Sequence, residues 1–105
     1  MMFEVIKYFH DFETKNLDGV SEILSDNVQL IDWNLDLVGK ETVLNAVSDI
    51  FSNFEKIKID INRMTMDKSC CMAEITILLD NLQLKVVDVL EFEKNKIISI
   101  RAYKQ

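Results

Sequence analysis

The chain of 105 residues has a mass of 12.2 kDa, 49% hydrophobic and 29% charged residues, and a net charge of −6. This length suits one domain over residues 1–105, and this balance of apolar and charged residues excludes a disordered chain. The negative charge disfavours binding to nucleic acid or to an anionic membrane, since both require clustered Lys and Arg. No segment approaches the roughly 20 apolar residues of a membrane helix. Polar residues interrupt Met1 to Phe12, unlike the apolar run of a signal peptide.

The first half of the chain shows helical periodicity. Residues 2–14 are predicted to form a helix, with Glu4, Lys7 and Asp11 on its exposed side. Its buried stripe is predicted to comprise Met2, Val5, Tyr8, Phe9 and Phe12. A short second helix follows, capped by Asn16 or Asp18 and ended by Ser25–Asn27. Next come a strand from Val28 to Trp33, a loop or small hairpin from Asn34 to Gly39, and a third helix from Glu41 to Phe54.

From Ile57 onward, apolar residues alternate with polar ones, which is typical of strands with one buried face. The later predicted strands run from Ile57, from Cys70 to Leu79, from Leu82 to Glu93 and from Ile97 to Tyr103. Short turns between successive strands predict an antiparallel meander. The resulting fold class is α+β, a cone in which three N-terminal helices pack on one face of a curved antiparallel sheet.

The two cysteines of the chain are the neighbours Cys70 and Cys71. Adjacent residues on a strand point to opposite faces, so a disulfide between them is not expected. A single pair of free thiols favours a reducing compartment, and the expected location is the cytoplasm.

A carboxylate interrupts the apolar face of the longest predicted strand. Asp88 shares that face with Leu82, Leu84, Val86, Leu90 and Phe92. A buried carboxylate must be paired or hydrogen-bonded, or its pKa rises and it stays neutral, able to donate a proton. The alternatives are a structural Asp bound to backbone or water, and a bulge that turns the side chain outward.

Two further polar residues fall on core-facing positions. Asp32 shares a strand face with Val28 and Leu30, although it is also near a strand end where solvation is common. Tyr8 lies on the stripe of the first helix, where a buried phenol most often has a structural partner. Together, one ionised Asp, one protonated Asp and a Tyr could move a proton on carbon beside a carbonyl and stabilise the resulting oxyanion.

The sequence resembles the nuclear transport factor 2-like superfamily, in the branch of the ketosteroid isomerases and SnoaL-like polyketide cyclases. The resemblance covers essentially the whole chain. It rests on Tyr8 to Asp32, with Asn16-Leu17-Asp18-Gly19 and Leu24-Ser25-Asp26-Asn27-Val28 between them, and on Val87-Asp88-Val89-Leu90-Glu91-Phe92 followed by Lys96 to Tyr103. The resemblance implies that Tyr8 and a protonated Asp88 form an oxyanion hole and that Asp32 is a general base, a pattern known from ketosteroid isomerase.

The predicted interior suits a small, mostly apolar ligand that carries a carbonyl. The expected walls of this ligand site are Phe12, Trp33, Phe51, Phe54, Leu84, Val86 and Leu90. Three hypotheses follow. The first is cofactor-free proton transfer by an isomerase or cyclase, the second is ligand binding without chemistry, and the third is a dimeric scaffold with a vestigial pocket. A filled core would contradict the first two. Apolar residues on both faces of the sheet, Met72, Leu78, Val87 and Val89 among them, predict a homodimer.

The remaining polar residues give weaker signals. His10 falls off the buried stripe, so a surface position is expected and a histidine metal site is not. Arg63 continues the face of Ile57, Ile59 and Ile61, where it could pair with Asp32 or Asp88, or could lie beyond the core. Gly19 and Gly39 stand alone and form no phosphate-binding loop. Neither a nucleotide nor a metal cofactor is implied.

Overall fold

The computed structural model describes residues 1–105, in which helices precede most of the sheet. The helices are α1 (Met2–Glu13), α2 (Leu17–Ile23) and α3 (Lys40–Asn53). The strands are β1 (Leu24–Ile31), β2 (Asp36–Val38), β3 (Ile57–Asp67), β4 (Cys70–Leu79), β5 (Leu82–Glu93) and β6 (Lys96–Lys104). They form one curved, unclosed sheet in the order β2-β1-β6-β5-β4-β3, with the helices packed against it. The α+β prediction is confirmed.

The first helix buries most of its predicted stripe and one residue that was predicted to be exposed. Val5, Tyr8 and Phe9 belong to the core, whereas Met2 is 55% exposed. The exposed position predicted for Asp11 is wrong, because this residue is 5% exposed. The periodicity of one helix could not show that α2 packs over this side of α1.

Asp11 joins α1 to α2 through polar contacts. Its carboxylate lies 2.5 Å from Lys7 Nζ and accepts a hydrogen bond from Asn16 Nδ2 at 3.3 Å. Asn16 also caps α2, as predicted, since its Oδ1 accepts from the Gly19 N–H at 3.0 Å. A Cβ at Gly19 would lie 2.4 Å from Asp11 Oδ2, so any larger residue here would require the Asp11 side chain to move.

The meander of β3 to β6 is antiparallel throughout, as the short turns predict. The two-residue turn Asp80–Asn81 pairs Leu79 with Leu82, with Asp80 at a φ of 54°. Asp80 also accepts hydrogen bonds from the backbone N–H groups of Glu55 and Lys56. The turn is thereby fixed to the end of the loop that follows α3, and the register of β4 with β5 is set.

The first strand differs from its prediction in extent and in pairing. It begins at Leu24 rather than Val28, so Ser25–Asn27 form part of the strand instead of a terminating turn. β1 pairs in parallel with β6, Leu30 opposite Ile100, which is the single parallel pairing in the sheet. On its other side β1 forms the small hairpin with β2. The pairing of β1 with β6 places the end of β1 one strand away from β5, which carries Asp88.

A bulge in β3 reverses the predicted orientation of Arg63. Ile61 pairs with Ile75, but the next paired residue is Arg63, opposite Glu74, so Asn62 is an extra residue in the strand. The phase of the alternation therefore shifts by one, and Arg63 is exposed on the outer face with Glu74. An internal pairing of Arg63 with Asp32 or Asp88 is wrong.

The core lies between the helices and the concave face of the sheet. Val5 of α1, Val20 of α2 and Val43 of α3 belong to the same buried cluster as Ile75 and Leu90 of the sheet. None of the three helices has the length and apolar character needed to span a membrane.

Candidate functional site

An apolar cavity of about 360 Å³ separates the helices from the concave face of the sheet. Of its 21 lining residues, 18 are hydrophobic. The three exceptions are Asp32, Asn34 and Asp88, and the tyrosine among the lining residues is Tyr8. The volume is that of a small-molecule site. A filled core, which would have contradicted both ligand-site hypotheses, is not observed.

Asp88 lies on the inner face of β5, as its alternation with Val86 and Leu90 predicts, and it is 8% exposed. The residues opposite it are Ala73 on β4 and Ala102 on β6, whose small side chains leave room beside the carboxyl group. No hydrogen bond or salt bridge joins this carboxyl group to another protein side chain or backbone group. Burial, with a contribution from the charge of Asp32, raises the pKa of Asp88 to about 7.

Tyr8 approaches the same cavity from α1 and is 6% exposed. Its ring packs against Phe9 and Phe12, at centroid distances of 5.3 and 6.2 Å. Burial and the charge of Asp88 raise the pKa of the Tyr8 phenol, so Tyr8 remains a neutral hydrogen-bond donor. Two neutral donors, the Tyr8 hydroxyl and the protonated form of Asp88, thus open into one apolar space.

Asp32 lies just beyond β1, at the start of the turn that leads into β2. Its Oδ1 accepts hydrogen bonds from the N–H groups of Asn34 and Leu35, both at 2.7 Å. The Asp32 N–H donates to the Leu35 carbonyl at 2.9 Å, which closes the turn. These hydrogen bonds occupy Oδ1 and leave Oδ2 without a protein partner. Asp32 therefore combines a structural role with a place in the wall of the cavity.

The structure brings all three predicted acid–base residues, Tyr8, Asp32 and Asp88, to a single cavity. The arrangement offers one carboxylate with a free oxygen, one carboxyl group that is protonated up to about pH 7, and one phenol. Such a set can remove a proton from carbon with one group while the other two donate to a neighbouring oxygen.

Four of the seven predicted wall residues line the cavity. They are Phe12, Trp33, Leu84 and Val86. Trp33 is 40% exposed, and Lys104 Nζ lies 5.2 Å from the centroid of its ring.

The other three predicted wall residues do not reach the cavity, so their assignment as walls is wrong. Leu90 is fully buried in the core, beyond Asp88 along β5. The Phe51 ring packs edge to face against Phe12, with 5.2 Å between the two ring centroids. Phe54 follows the last residue of α3, where its carbonyl accepts a hydrogen bond from Lys15 Nζ.

Several lining residues were not anticipated from the sequence. They are Asn34 and Leu35 in the turn after Asp32, Ala46 and Ile50 on α3, Ile59 on β3, Ile75, Ile77 and Leu79 on β4, and Ala102 on β6. The positions of the β4 residues could have been predicted from the sequence. A two-residue turn at Asp80–Asn81 sets Ile77 opposite Leu84 and Ile75 opposite Val86, and both partners were predicted walls.

The remaining candidate residues lie outside the cavity lining. His10 is on the exposed side of α1, as expected. Cys70 and Cys71 are free, as expected, and Cys71 is fully buried in the core. Burial is the main cause of the raised pKa of the Cys71 thiol, which makes it a weak nucleophile.

Comparisons with known proteins agree with this architecture. The model of the SnoaL-like domain family matches residues 5–100. An NTF2-like protein of unknown function from Cytophaga hutchinsonii is 18% identical, with a TM-score of 0.86 over 97% of this chain and 87% of that one.

Two further solved structures have the same fold. A ketosteroid isomerase candidate from Kribbella flavida is 14% identical, with a TM-score of 0.83 over 97% of this chain and 75% of that one. An LEH-like epoxide hydrolase from M. tuberculosis is 17% identical, with a TM-score of 0.83 over 97% and 80%. No significant match is found among curated protein sequences.

Proposed function

This protein belongs to the SnoaL-like domain family, and we propose that it binds a small apolar ligand carrying a carbonyl and transfers a proton on that ligand without a cofactor. The observation that carries the proposal is the buried Asp88 carboxyl group, which faces the cavity with no protein partner beside a second donor, Tyr8. A buried polar group is normally hydrogen-bonded. A ligand oxygen is the acceptor that these two donors suit.

The proposed reaction has two proton movements. Asp32, through its free Oδ2, removes a proton from the carbon next to the carbonyl, and the bonding electrons move to the carbonyl oxygen. Tyr8 and protonated Asp88 donate hydrogen bonds to the resulting enolate oxygen. Asp32 then returns the proton. Delivery to a conjugated carbon moves the double bond and gives an isomerisation, delivery to the original carbon restores the substrate, and neither consumes a reagent.

A second function, ligand binding without chemistry, is favoured by one specific observation. Oδ1 of Asp32 already accepts two backbone hydrogen bonds, and the residue is thereby explained as part of a turn. In a binding module, Asp88 and Tyr8 would hold the ligand oxygen and Asp32 would shape the mouth of the cavity.

Exchange and isomerisation of a simple enone distinguish these two functions. In D₂O at pH 6.5, the protein is expected to accelerate both deuterium uptake at carbon 2 of 3-cyclohexen-1-one and its conversion to 2-cyclohexen-1-one, followed by NMR. Asp88→Leu removes one oxyanion donor and should slow both processes by about 10²–10³-fold.

The matched control for this assay is Asp49→Asn, which removes a charge from the exposed side of α3 and should leave the rate unchanged. If the protein binds the ketone but deuterium uptake and isomerisation are no faster than in buffer, proton transfer is contradicted and the binding module is supported.

We further propose that two copies of the chain associate through the outer face of the sheet. Met72, Val89 and Ile31 lie in one row across this face, interrupted by Arg101, and Val87 and Tyr103 lie in the next, which ends at Glu74. Helices cover only the concave face, and Met72 and Tyr103 are 51% and 58% exposed. A second copy would bury this apolar strip.

Light scattering at micromolar concentration is expected to give about twice 12.2 kDa, since the strip is then buried between two subunits. Met72→Lys should shift the mass towards that of one chain. A single-chain mass for the unsubstituted protein would contradict the dimer.

The proposed location is the cytoplasm. Cys70 and Cys71 are both free, and they point to opposite faces of β4. A thiol pair of this kind is compatible with a reducing compartment.

A further inference from the structure

The charged residues that line the cavity all have the same sign. Asp32 and Asp88 are the ionisable carboxyl groups of the lining, and no Lys, Arg or His is among its residues. Lys104 lies over the Trp33 ring but does not itself line the cavity. An anionic ligand would meet two acidic groups in an apolar space with no counter-charge, which is a strongly unfavourable arrangement.

Asp88 is the group that most needs a partner. Its side chain is more than nine-tenths buried and makes no hydrogen bond or salt bridge in the protein. Three titratable groups interact electrostatically with the Asp88 carboxyl group. They are Tyr8 from α1, Asp32 from the turn after β1 and Cys71 from β4. None of these groups carries a positive charge, so an ionised Asp88 has no counter-ion within the protein.

Aromatic rings supply a second feature that suits a cation. Tyr8, Phe9, Phe12 and Trp33 all belong to the cavity lining. The face of an aromatic ring attracts a nearby ammonium group, and the attraction increases when water is excluded. The remaining lining is aliphatic and suits a hydrocarbon skeleton.

We propose that the cavity binds apolar amines as ammonium ions, with the charged head between Asp88 and Asp32, and rejects carboxylates of the same skeleton. This inference rests on the proposed function because it uses the same cavity. The ammonium group takes the position of the carbonyl oxygen and donates to Asp88, whereas the carbonyl oxygen accepts from it. Amines therefore compete with the carbonyl ligand.

Three compounds with one skeleton test the inference by calorimetry at pH 8 in about 0.15 M salt, which screens the overall charge of the protein. They are 1-adamantanamine, 1-adamantanol and adamantane-1-carboxylate. The amine is expected to bind about tenfold or more tightly than the alcohol, and the carboxylate is expected not to bind. Asp88→Asn should reduce the preference for the amine over the alcohol, the Asp32→Asn/Asp88→Asn double variant should abolish it, and Asp49→Asn should not change it.

Each other outcome overturns a distinct statement. Equal affinity for amine and carboxylate, or an amine preference that survives in the Asp32→Asn/Asp88→Asn double variant, overturns amine binding while leaving the enone assay unaffected. Failure of the enone assay with the amine preference intact overturns proton transfer alone. Binding of none of the three compounds overturns this inference, and together with failure of the enone assay it also overturns the ligand-binding cavity on which the inference rests.

Discussion

Asp88→Asn is expected to raise the free energy of unfolding at pH 8 by about 4 kcal/mol. The pKa of Asp88 rises from its ordinary value of 3.8 to about 7 in the folded protein, and each unit corresponds to about 1.4 kcal/mol. Between these two values the folded protein holds a proton that the unfolded chain has lost. Raising the pH therefore destabilises the folded state progressively from about pH 4, and the loss is complete above about pH 7. Asparagine does not titrate, so the variant avoids this loss.

Urea unfolding between pH 5.5 and 8.5 measures this effect at pH values well above the isoelectric point of about 4.7. The stability difference between Asp88→Asn and the unsubstituted protein should grow by about 2 kcal/mol over this range and level off above about pH 7.5. Asp49→Asn, an exposed control, should show no such growth. A difference that is independent of pH would mean that Asp88 has an ordinary pKa in the folded protein.

Local patterns predicted the elements that surround the site because each was set by short-range chemistry. The stripe of Val5, Tyr8 and Phe9 follows helical geometry, and the alternation along β5 places Asp88 inward. The turn at Asp80–Asn81 fixes the register of the strands on either side. These patterns need no knowledge of distant parts of the chain.

The features that could not be predicted depend on contacts between distant segments. The parallel pairing of β1 with β6 joins residues about 70 positions apart in the chain, and turn lengths do not determine such a pairing. The bulge at Asn62 depends on how β3 fits β4, and it alone turns Arg63 outward. Asp11 is buried where α2 packs against α1, with Gly19 beside its carboxylate.

The site shows the same division between local and long-range information. Asp88 was predictable from its own strand, whereas the walls on α3 were misassigned because helix periodicity does not give the angle at which a helix meets the sheet. Phe51 consequently packs behind Phe12 instead of reaching the cavity. The double role of Asp32 was not predicted either, since it depends on the backbone of the turn that reaches Leu35.

Asp32→Asn is expected to slow enone exchange and isomerisation by about 10²–10⁴-fold, the contribution of one general base. Asparagine retains an oxygen at the position of Oδ1, so it can still accept from the N–H groups of Asn34 and Leu35. The position of the free Oδ2 is taken by an amide nitrogen, which cannot accept a proton. The turn, the fold and the affinity for the ketone should therefore change little.

Asp32→Ala separates the turn from the chemistry, because alanine loses both backbone hydrogen bonds as well as the base. It should match the rate loss of Asp32→Asn and in addition lower the thermal midpoint, whereas Asp32→Asn should lose the rate alone. Kinetics and thermal unfolding of both variants, compared with Asp49→Asn, provide the measurement. If Asp32→Asn retained the full rate, Asp32 would be a turn residue only, and Asp88 would be the remaining carboxyl group of the cavity that could act as the base.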